Sequence, residues 1–171
     1  MKKTIIATLV LVISAFATAT AGGKGEADRS SSKKITMSTG FTKLVVDGNV
    51  DVVLFEDDDA TEIRTFGKTS DMAATSITEK EGVLTIKNKK NFGEKVLVYV
   101  PVKRLYVIEA GGNSKVSSAT TLTGAVTLIA KGDCKFNIVS EGVIEVQQDG
   151  EVEVSVEKRT ISSAAKAIRH S

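Results

Sequence analysis

Residues 105–156 read LYVIEAGGNSKVSSATTLTGAVTLIAKGDCKFNIVSEGVIEVQQDGEVEVSV, and this stretch decides the predicted fold. It holds three cassettes in which a glycine is followed by a polar, a small, a charged and an apolar residue: GNSKV at 112–116, GDCKF at 132–136 and GEVEV at 150–154. Their glycines are spaced by 20 and then 18 residues, which is typical of a repeat architecture. A fourth copy, GNVDV at 48–52, lies far upstream.

The segments between the cassettes are short and rich in β-branched residues. No amphipathic helix of a dozen residues separates them, so the pattern predicts an all-β protein. A sandwich, a barrel and a solenoid all fit this pattern. The recurring cassette favours the solenoid, because stacked coils bury a continuous apolar column that no single coil can bury. The strands expected here are 105–110, 115–118, 125–130, 135–139, 143–147 and 151–157.

Strands are also predicted upstream of residue 105. Residues 44–55 are expected to form two strands on either side of a turn or bulge at Asp47-Gly48-Asn49. Glu81-Gly82 is expected to turn a hairpin. Pro101 is expected to end a strand because it has no amide donor. The remaining expected elements are strands at 61–66, 76–80, 83–88 and 96–100, and a helical turn at 69–74.

The first 21 residues predict a secretory signal peptide. Lys2 and Lys3 precede an apolar run at 5–16 and a small-residue A-x-A site, with cleavage expected after Ala21 or, alternatively, Ala19. A transmembrane span needs about 20 apolar residues, so no transmembrane anchor is expected after cleavage, and an uncleaved anchor is the alternative. The expected layout is a signal peptide at 1–21, a flexible leader at 22–40 with an edge strand at 34–37, a β-solenoid domain at 41–157 and a tail or cap at 158–171.

Charge and cysteine content narrow the class of protein further. The formal net charge of +2 falls to about zero once Lys2 and Lys3 leave with the signal peptide. Nucleic-acid binding is therefore not expected, since it requires a concentrated positive surface. The single Cys134 cannot close an internal disulfide, so burial and hydrogen bonds must hold the domain together. We expect export through the secretory pathway to the periplasm, the outer surface or the medium.

Taken together, the order of these segments resembles a known bacterial family, "Putative auto-transporter adhesin, head GIN domain". The resemblance covers residues 41–156 and implies a single-stranded right-handed β-helix in an exported protein whose function is itself inferred. The chain departs from the family pattern in having fewer glycine coils near its C-terminal end, and in Ser114, Cys134 and Val152 at small-residue positions. The residues that carry the resemblance are Phe41, Val45, Val46, 47–52, 82–86, Val96, Val98, Val100, Pro101, Leu105, Ile108, Gly112 and Val116.

The run Glu56-Asp57-Asp58-Asp59 is the strongest charge feature of the sequence. Carboxylates can ligate Ca²⁺, which takes about six to eight oxygen ligands. Adjacent residues of an extended chain point in alternate directions, however, and the D-x-D-x-D-G spacing of a calcium loop is absent. We therefore expect a solvated loop between two strands rather than a metal site.

A basic group surrounds Phe92 and consists of Lys87, Lys89, Lys90 and Lys95. Single-stranded nucleic acids bind where basic side chains alternate with several aromatic stacking platforms. One aromatic residue does not provide such a surface, so we expect a solvated basic loop.

The residue types used in catalysis are few and poorly placed. His170 lies in the 158–171 tail, away from the rigid surroundings that hold a general base. Cys134 is expected to be a buried, inert thiol. No serine lies in a G-x-S-x-G turn. We therefore expect no catalytic residues, no cofactor and no metal site.

Asp51, Lys115, Lys135 and Glu153 occupy equivalent positions in the four cassettes. If the cassettes stack, these side chains align on one outer face, where charges of alternating sign suit ion pairing rather than catalysis. A carbohydrate-active enzyme would need paired carboxylates in a groove. Aromatic residues for sugar stacking are scarce, with two Tyr, no Trp and six Phe.

The sequence thus predicts an exported, non-enzymatic β-solenoid that acts as an adhesin or cell-envelope binding module. Its expected partner is an envelope protein, a surface or a polysaccharide, and no nucleic acid. The alternative is a periplasmic structural or assembly module that stacks end to end. A carbohydrate-active β-helix enzyme is the least favoured of the three.

Overall fold

The computed structural model describes residues 30–37, 40–90, 93–149 and 153–158. Among these residues no helix is long and apolar enough to cross a membrane. The predicted signal peptide and its cleavage site lie outside the described residues, as does almost all of the predicted tail. The elements are β1 (Ser30–Thr36), β2 (Lys43–Asp47), β3 (Val50–Glu56), β4 (Glu62–Lys68), α1 (Thr69–Ala73), β5 (Thr75–Lys80), β6 (Val83–Asn88), β7 (Val96–Val102), β8 (Val107–Gly111), β9 (Ser114–Ser118), β10 (Val126–Lys131), β11 (Cys134–Ser140), β12 (Ile144–Asp149) and β13 (Glu153–Lys158).

The strands form two mixed sheets, which confirms the predicted all-β class. Sheet A has seven strands in the order β1-β4-β7-β3-β9-β11-β13, and sheet B has six in the order β12-β10-β8-β2-β6-β5. The pairs from β7 to β13 in sheet A and from β6 to β12 in sheet B are parallel. Antiparallel pairing is confined to one end of each sheet, where β1 and β4 extend sheet A and β5 extends sheet B.

The glycine cassettes are the turns that carry the chain from sheet B to sheet A. Gly48, Gly112 and Gly132 connect β2 to β3, β8 to β9 and β10 to β11, with φ values of +92°, +61° and +81°. These φ values lie in the left-handed region that glycine enters readily. In the first and third turns the amide two residues later donates to the glycine carbonyl, at 3.0 Å for Val50 and 2.9 Å for Cys134.

The far-upstream cassette lies next to the first cassette of the 105–156 stretch. Strand β2 lies between β6 and β8, and β3 lies between β7 and β9, so the first turn in the chain is internal to both sheets. Leu44 accordingly pairs with Leu84 on one side and with Ile108 on the other. The three glycine turns thus keep their chain order across the sheets, but the β4–β7 segment, which separates the first turn from the second in the chain, lies on the other side of the first turn.

Alternate side chains of both sheets meet in one hydrophobic cluster. In sheet B the parallel registers align Leu84, Leu44, Ile108 and Leu128 in a column, and all four are fully buried. Each buried aliphatic side chain of this kind contributes about 1.5–3 kcal/mol relative to exposure. Stacking of like residues in register therefore stabilises sheet B.

Most predicted elements upstream of residue 105 are confirmed. The hairpin between β5 and β6 turns at Glu81 and Gly82, with φ values of 51° and 75°. The helical turn is α1, which has five residues. The first edge strand begins at Ser30 rather than at residue 34, so part of the predicted flexible leader is ordered. Its backbone pairs with β4 over seven residues, and this pairing does not require the apolar content on which the prediction relied.

The prediction that Pro101 ends its strand is wrong, because β7 continues to Val102. The Val102 carbonyl accepts from the Asp57 amide at 3.3 Å, which places the backbone groups of Val102 on the β3 side. The backbone of Pro101 therefore faces the β4 side, where pairing stops at Tyr99. Its missing N–H thus falls beyond the last pair with β4, and no ladder hydrogen bond is lost.

Glu109 joins three neighbouring strands of sheet B through ion pairs. Its carboxylate lies 2.8 Å from Lys43 Nζ and 2.5 Å from Lys131 Nζ, and its side chain is 16% exposed. The hydrogen bond from Lys131, followed by that from Lys43, lowers the pKa of Glu109 from its ordinary value of 4.5. This carboxylate is therefore a cross-strand connection between β2, β8 and β10.

Replacing Gly48 by alanine is expected to lower the free energy of unfolding by more than about 2 kcal/mol. A Cβ at this position would lie 2.2 Å from the Asn88 carbonyl oxygen, in addition to the strain of a positive φ. Urea unfolding of the Gly48→Ala variant measures this loss. Gly132→Ala is the matched control, because it has a positive φ but no atom within 4 Å of the added Cβ. Equal losses for the two variants would contradict the steric explanation.

Replacing Glu109 by glutamine is expected to lower the free energy of unfolding by about 1 kcal/mol at pH 7. Because the folded-state pKa is lowered, the stabilisation is present above pH 4.5 and is lost as the pH falls through the folded pKa. Urea unfolding of the wild type and Glu109→Gln at pH 7 and pH 3 should show the difference shrinking. Glu145→Gln, at an exposed position on β12, is the control. A difference that stays constant with pH would contradict the ion-pair assignment.

Candidate functional site

The outer face of sheet A carries a groove lined by aromatic side chains. Phe55, Phe66 and Tyr99 line it, and its volume is about 660 Å³. Phe66 and Tyr99 are in edge-to-face contact, with ring centroids 5.6 Å apart and an interplanar angle of 85°. Phe66 is 39% exposed. The groove therefore presents ring surfaces to solvent on the outer face of sheet A.

Three neighbouring strands position these rings. Phe55 lies on β3, Tyr99 on β7 and Phe66 on β4, and each alternates with buried residues of its own strand. In the β3–β7 register Val53 pairs with Tyr99, so Phe55 lies two residues further along. With the usual strand spacing and rise, the Cα atoms of Phe55 and Tyr99 are roughly 8 Å apart. The three rings thus form a diagonal row across the sheet, defined here as the aromatic row.

Charged side chains surround the aromatic row. Arg64 pairs directly with Tyr99 across the β4–β7 ladder and is 58% exposed. Glu62 lies on the same face of β4, 3.1 Å from Lys34 Nζ and 3.9 Å from the Arg64 guanidinium. Asp57 and Asp59 also line the groove, from the loop that follows β3. Carboxylates and a guanidinium beside exposed rings can hydrogen-bond a polar ligand whose apolar faces lie on the rings.

A second hollow of about 520 Å³ lies beyond the C-terminal end of β7. Lys103 and Arg104 provide its positive charge, and Met37, Phe41 and Pro101 form its apolar wall. Phe41 is only 8% exposed and packs in the core. This hollow has cationic side chains but no exposed ring, so the aromatic row is the better candidate site.

The four acidic residues at 56–59 do not converge. The Glu56 carboxylate accepts from the amide and hydroxyl of Thr123, at 2.7 and 3.0 Å. Asp57 Oδ1 accepts from the amides of Asp59 and Ala60, at 2.9 and 3.0 Å, which closes a tight loop. Asp58 and Asp59 are exposed. No group of three or more potential metal-ligating side chains is found within the described ranges.

Two lysines of the predicted basic loop form ion pairs with different aspartates. Lys90 Nζ lies 2.7 Å from the carboxylate of the buried Asp71, and Lys95 Nζ lies 3.0 Å from that of Asp51. Lys87 and Lys89 are exposed. Phe92 lies outside the described residues. The basic residues thus do not form one continuous surface.

The predicted cassette ladder is present in the register of sheet A. Asp51 pairs with Lys115, Lys115 with Lys135, and Lys135 with Glu153. The expected alternation of sign is wrong, because two lysines are neighbours at the centre of the ladder. The four residues follow one another along the ladder in chain order, which already makes the two lysines adjacent. The Asp51 carboxylate also lies 3.0 Å from Lys95 Nζ.

Cys134 is buried and is a free thiol. Burial raises its pKa, with a smaller opposing contribution from its backbone hydrogen bond to Lys131. A thiol of this kind is a weak nucleophile, because little thiolate is present near neutral pH. His170 lies outside the described residues, so its expected lack of a role stays a prediction.

The family comparison agrees with the resemblance found in the sequence. A model of the family described as "Putative auto-transporter adhesin, head GIN domain" matches residues 40–166, well over half of the chain. The chain belongs to this family. The match continues past β13, so the head GIN domain includes residues beyond the last described strand. No curated protein matches the chain.

Two crystal structures of other proteins share the fold of this head GIN domain. A putative adhesin from Parabacteroides distasonis aligns with a TM-score of 0.61 at 21% identity, over 75% of this chain and 56% of its own. A putative adhesin from Bacteroides fragilis aligns with a TM-score of 0.55 at 17% identity, over 74% of this chain and 65% of its own. The chain therefore spans less than two thirds of the length of either protein. At these identities the likeness shows the fold alone.

The aromatic row of the head GIN domain was missed from the sequence. The sequence argument against sugar stacking was based on the small number of aromatic residues in the whole chain. A few rings can form a stacking surface, however, if the fold places them side by side. Strand alternation contained a usable signal: Phe55 has the opposite parity to Val52 and Leu54, and Tyr99 lies between Val98 and Val100. That parity places both rings on the outer face. Their proximity depends on β3 pairing with β7, and the sequence did not reveal that pairing.

Proposed function

We propose that this chain is an exported, non-enzymatic binding module that holds a cell-envelope polysaccharide on its aromatic row. The groove at Phe55, Phe66 and Tyr99 carries this proposal. Sugar rings have apolar faces that stack on aromatic side chains, and hydroxyl groups that hydrogen-bond carboxylates and guanidinium groups. Membership in an adhesin family supports a binding role, and the basic and apolar segments at 1–21 support export.

The scaffold that we propose for this module is a right-handed β-solenoid. Each glycine turn passes the chain from sheet B to sheet A, and successive units pair in parallel and in register. Such coils bury a column of like residues between the sheets and leave their outer faces free for binding. A long, flat outer face is suited to an extended chain ligand.

A binding role fits the carboxylates of the groove better than hydrolysis does. Glycoside hydrolysis uses two carboxyl groups on opposite sides of the scissile bond, one of which must act as an acid. Asp57 closes its own loop through two backbone amides, and Glu62 is paired with Lys34. Asp59 is exposed in the loop. These contacts use the carboxylates to shape the groove and to pair with neighbouring charges.

A second candidate is end-to-end assembly through β12, the edge strand of sheet B. Val143 is 59% exposed and Val146 is 42% exposed at this edge. Val146 continues the column of Leu128, and it is exposed because no further strand covers it among the described residues. A second copy that paired with β12 would cover both valines.

The main proposal predicts that Tyr99→Ala weakens binding to a neutral polysaccharide by at least about tenfold, because it removes the central ring of the row. The chain from residue 22 onward, which contains every described residue, is tested against a panel of neutral polysaccharides by affinity electrophoresis. Tyr106→Ala is the matched control, since Tyr106 is 51% exposed and lies outside the groove. Release of reducing ends with turnover, or equal effects of the two variants, would contradict the proposal.

The second candidate predicts that the mass measured by light scattering rises with concentration and that Val146→Lys abolishes the rise. A lysine at the exposed column position would introduce charge where the copies meet. Gln147→Lys is the control, because its side chain is exposed on the same strand. A constant monomer mass at all concentrations would rule out this assembly.

A further inference from the structure

An apolar surface is left uncovered at the end of the sheets formed by β12 and β13. Val146 on β12 is 42% exposed, although it continues the column of Leu128. Ile144 on β12 and Val154 on β13 pack against the core and are only partly buried. Within the described part of the chain, no strand pairs with the outer side of either β12 or β13. A segment that packed on this end would remove its apolar side chains from water.

The chain itself supplies a segment at the right place. Strand β13 ends at Lys158, which pairs with Ser140 at the end of β11. From Ser140 the chain crosses within a few residues to Ile144 at the start of β12. Residues that follow Lys158 therefore begin beside the start of β12. The head GIN family match also continues beyond Lys158 to residue 166, so these residues belong to the domain.

Another strand of the same kind would cover this end poorly. In both sheets the last parallel partners lie 18 residues apart, as Val126 and Ile144 do. A further strand with this spacing would extend the inward-facing positions of β12 with a serine, an alanine and a lysine: Ser162, Ala164 and Lys166. A hydroxyl and an ammonium group at these positions would be costly to bury and could not continue the apolar columns.

The same residues form an apolar stripe if they are helical. Ile161, Ala164, Ala165 and Ile168 have the i, i+3, i+4, i+7 spacing of one helix face. Thr160, directly before the stripe, is a residue type that caps helix N-termini. A helix over residues 160–169 is about 15 Å long, and the six residues of β12 span about 20 Å. The stripe can therefore lie along the strand.

Charge favours the same contact. Residues 141–158, which contain β12 and β13, have six acidic residues and one lysine, a formal charge of −5. Residues 159–171 have three basic residues and no acidic residue, a formal charge of +3 with histidine neutral. The neighbouring residues 122–140 add two lysines and one aspartate, or +1, so the surroundings of the segment stay negative. Opposite charges of this size attract the segment to the end of the sheets.

We propose that residues 159–171 fold into a short helix whose apolar stripe covers Val146 and the rest of the β12 edge. The occupant of this edge is therefore the chain's own segment, which is present at a high effective concentration because it is covalently attached. The cap competes with the end-to-end assembly described above, since both need Val146. It thus protects an open strand edge and keeps the chain monomeric. This inference does not depend on the aromatic row.

Hydrogen exchange measured by mass spectrometry tests the cap on the chain from residue 22 onward, at a concentration where light scattering shows a monomer. We expect the amides of residues 162–169 to exchange at least about tenfold more slowly than in the unfolded chain. The double variant Ile161→Asp, Ile168→Asp should remove this protection and speed exchange in β12. The matched control is Ser163→Asp, His170→Asp, which adds the same charges at the same spacing on the opposite side of the helix and should keep the protection.

The cap is overturned if residues 162–169 exchange at the unfolded-chain rate in the monomeric wild type. Equal loss of protection in the two double variants would also overturn it, because the loss would then follow charge rather than the apolar stripe. Protection that appears only as the mass rises with concentration, and that Val146→Lys removes, would assign the edge to a second copy instead. Carbon chemical shifts typical of a strand in the protected segment would replace the helix by a further strand.

Discussion

The close approach of backbone at the glycine turns is the constraint on which this structure depends. A Cβ at Gly112 would lie 2.7 Å from the Gly48 nitrogen and 2.9 Å from its Cα. A side chain at either position would push neighbouring turns apart beyond the spacing of about 4.8 Å that paired strands require. Because these residues lack a side chain, successive turns can stack directly. Parallel register in both sheets, and hence the burial of aligned columns, follows from that spacing.

The columns of sheet B also show how its two edges differ from its interior. One column runs through Leu84, Leu44, Ile108 and Leu128, with Glu79 before it and Val146 after it. The next column begins at Ile77 and ends at Gln148. Each edge strand, β5 or β12, therefore has one apolar and one polar residue at the ends of these two columns, whereas the interior strands have apolar residues at both positions. A polar side chain at a column end weakens edge-to-edge association, and the exposed valine beside it favours such association. The balance between them decides whether copies associate.

The sequence predicted the elements of this fold well, and their neighbours poorly. Regular alternation and the glycine cassettes located nearly every strand, and equivalent cassette positions correctly aligned Asp51, Lys115, Lys135 and Glu153. The alternation of apolar and polar residues is a property of each strand by itself. It therefore does not show which strands pair with β2 and β3 on either side. For the same reason the sequence could not bring Phe55, Tyr99 and Phe66 together, although their parity placed each on an outer face. The sequence argument missed the first part of β1 because it considered only the low apolar content of the segment, which indicates how much surface can be buried. It did not consider the backbone hydrogen bonds that β1 forms with β4.

The internal position of β2 and β3 has a consequence for the order in which the chain folds. Strands β2 and β3 are internal to the two sheets, yet they are synthesised before every strand that pairs with them in parallel. The pair between Asp51 and Lys115, for example, joins residues 64 positions apart in the chain. Both edges of this first unit have unpaired amide and carbonyl groups until later strands arrive, one edge from the β6–β7 segment and the other from β8–β9. Long loop closures of this kind slow folding and prolong the exposure of strand edges. The nascent chain therefore needs protection from aggregation during the interval between its first turn and its second.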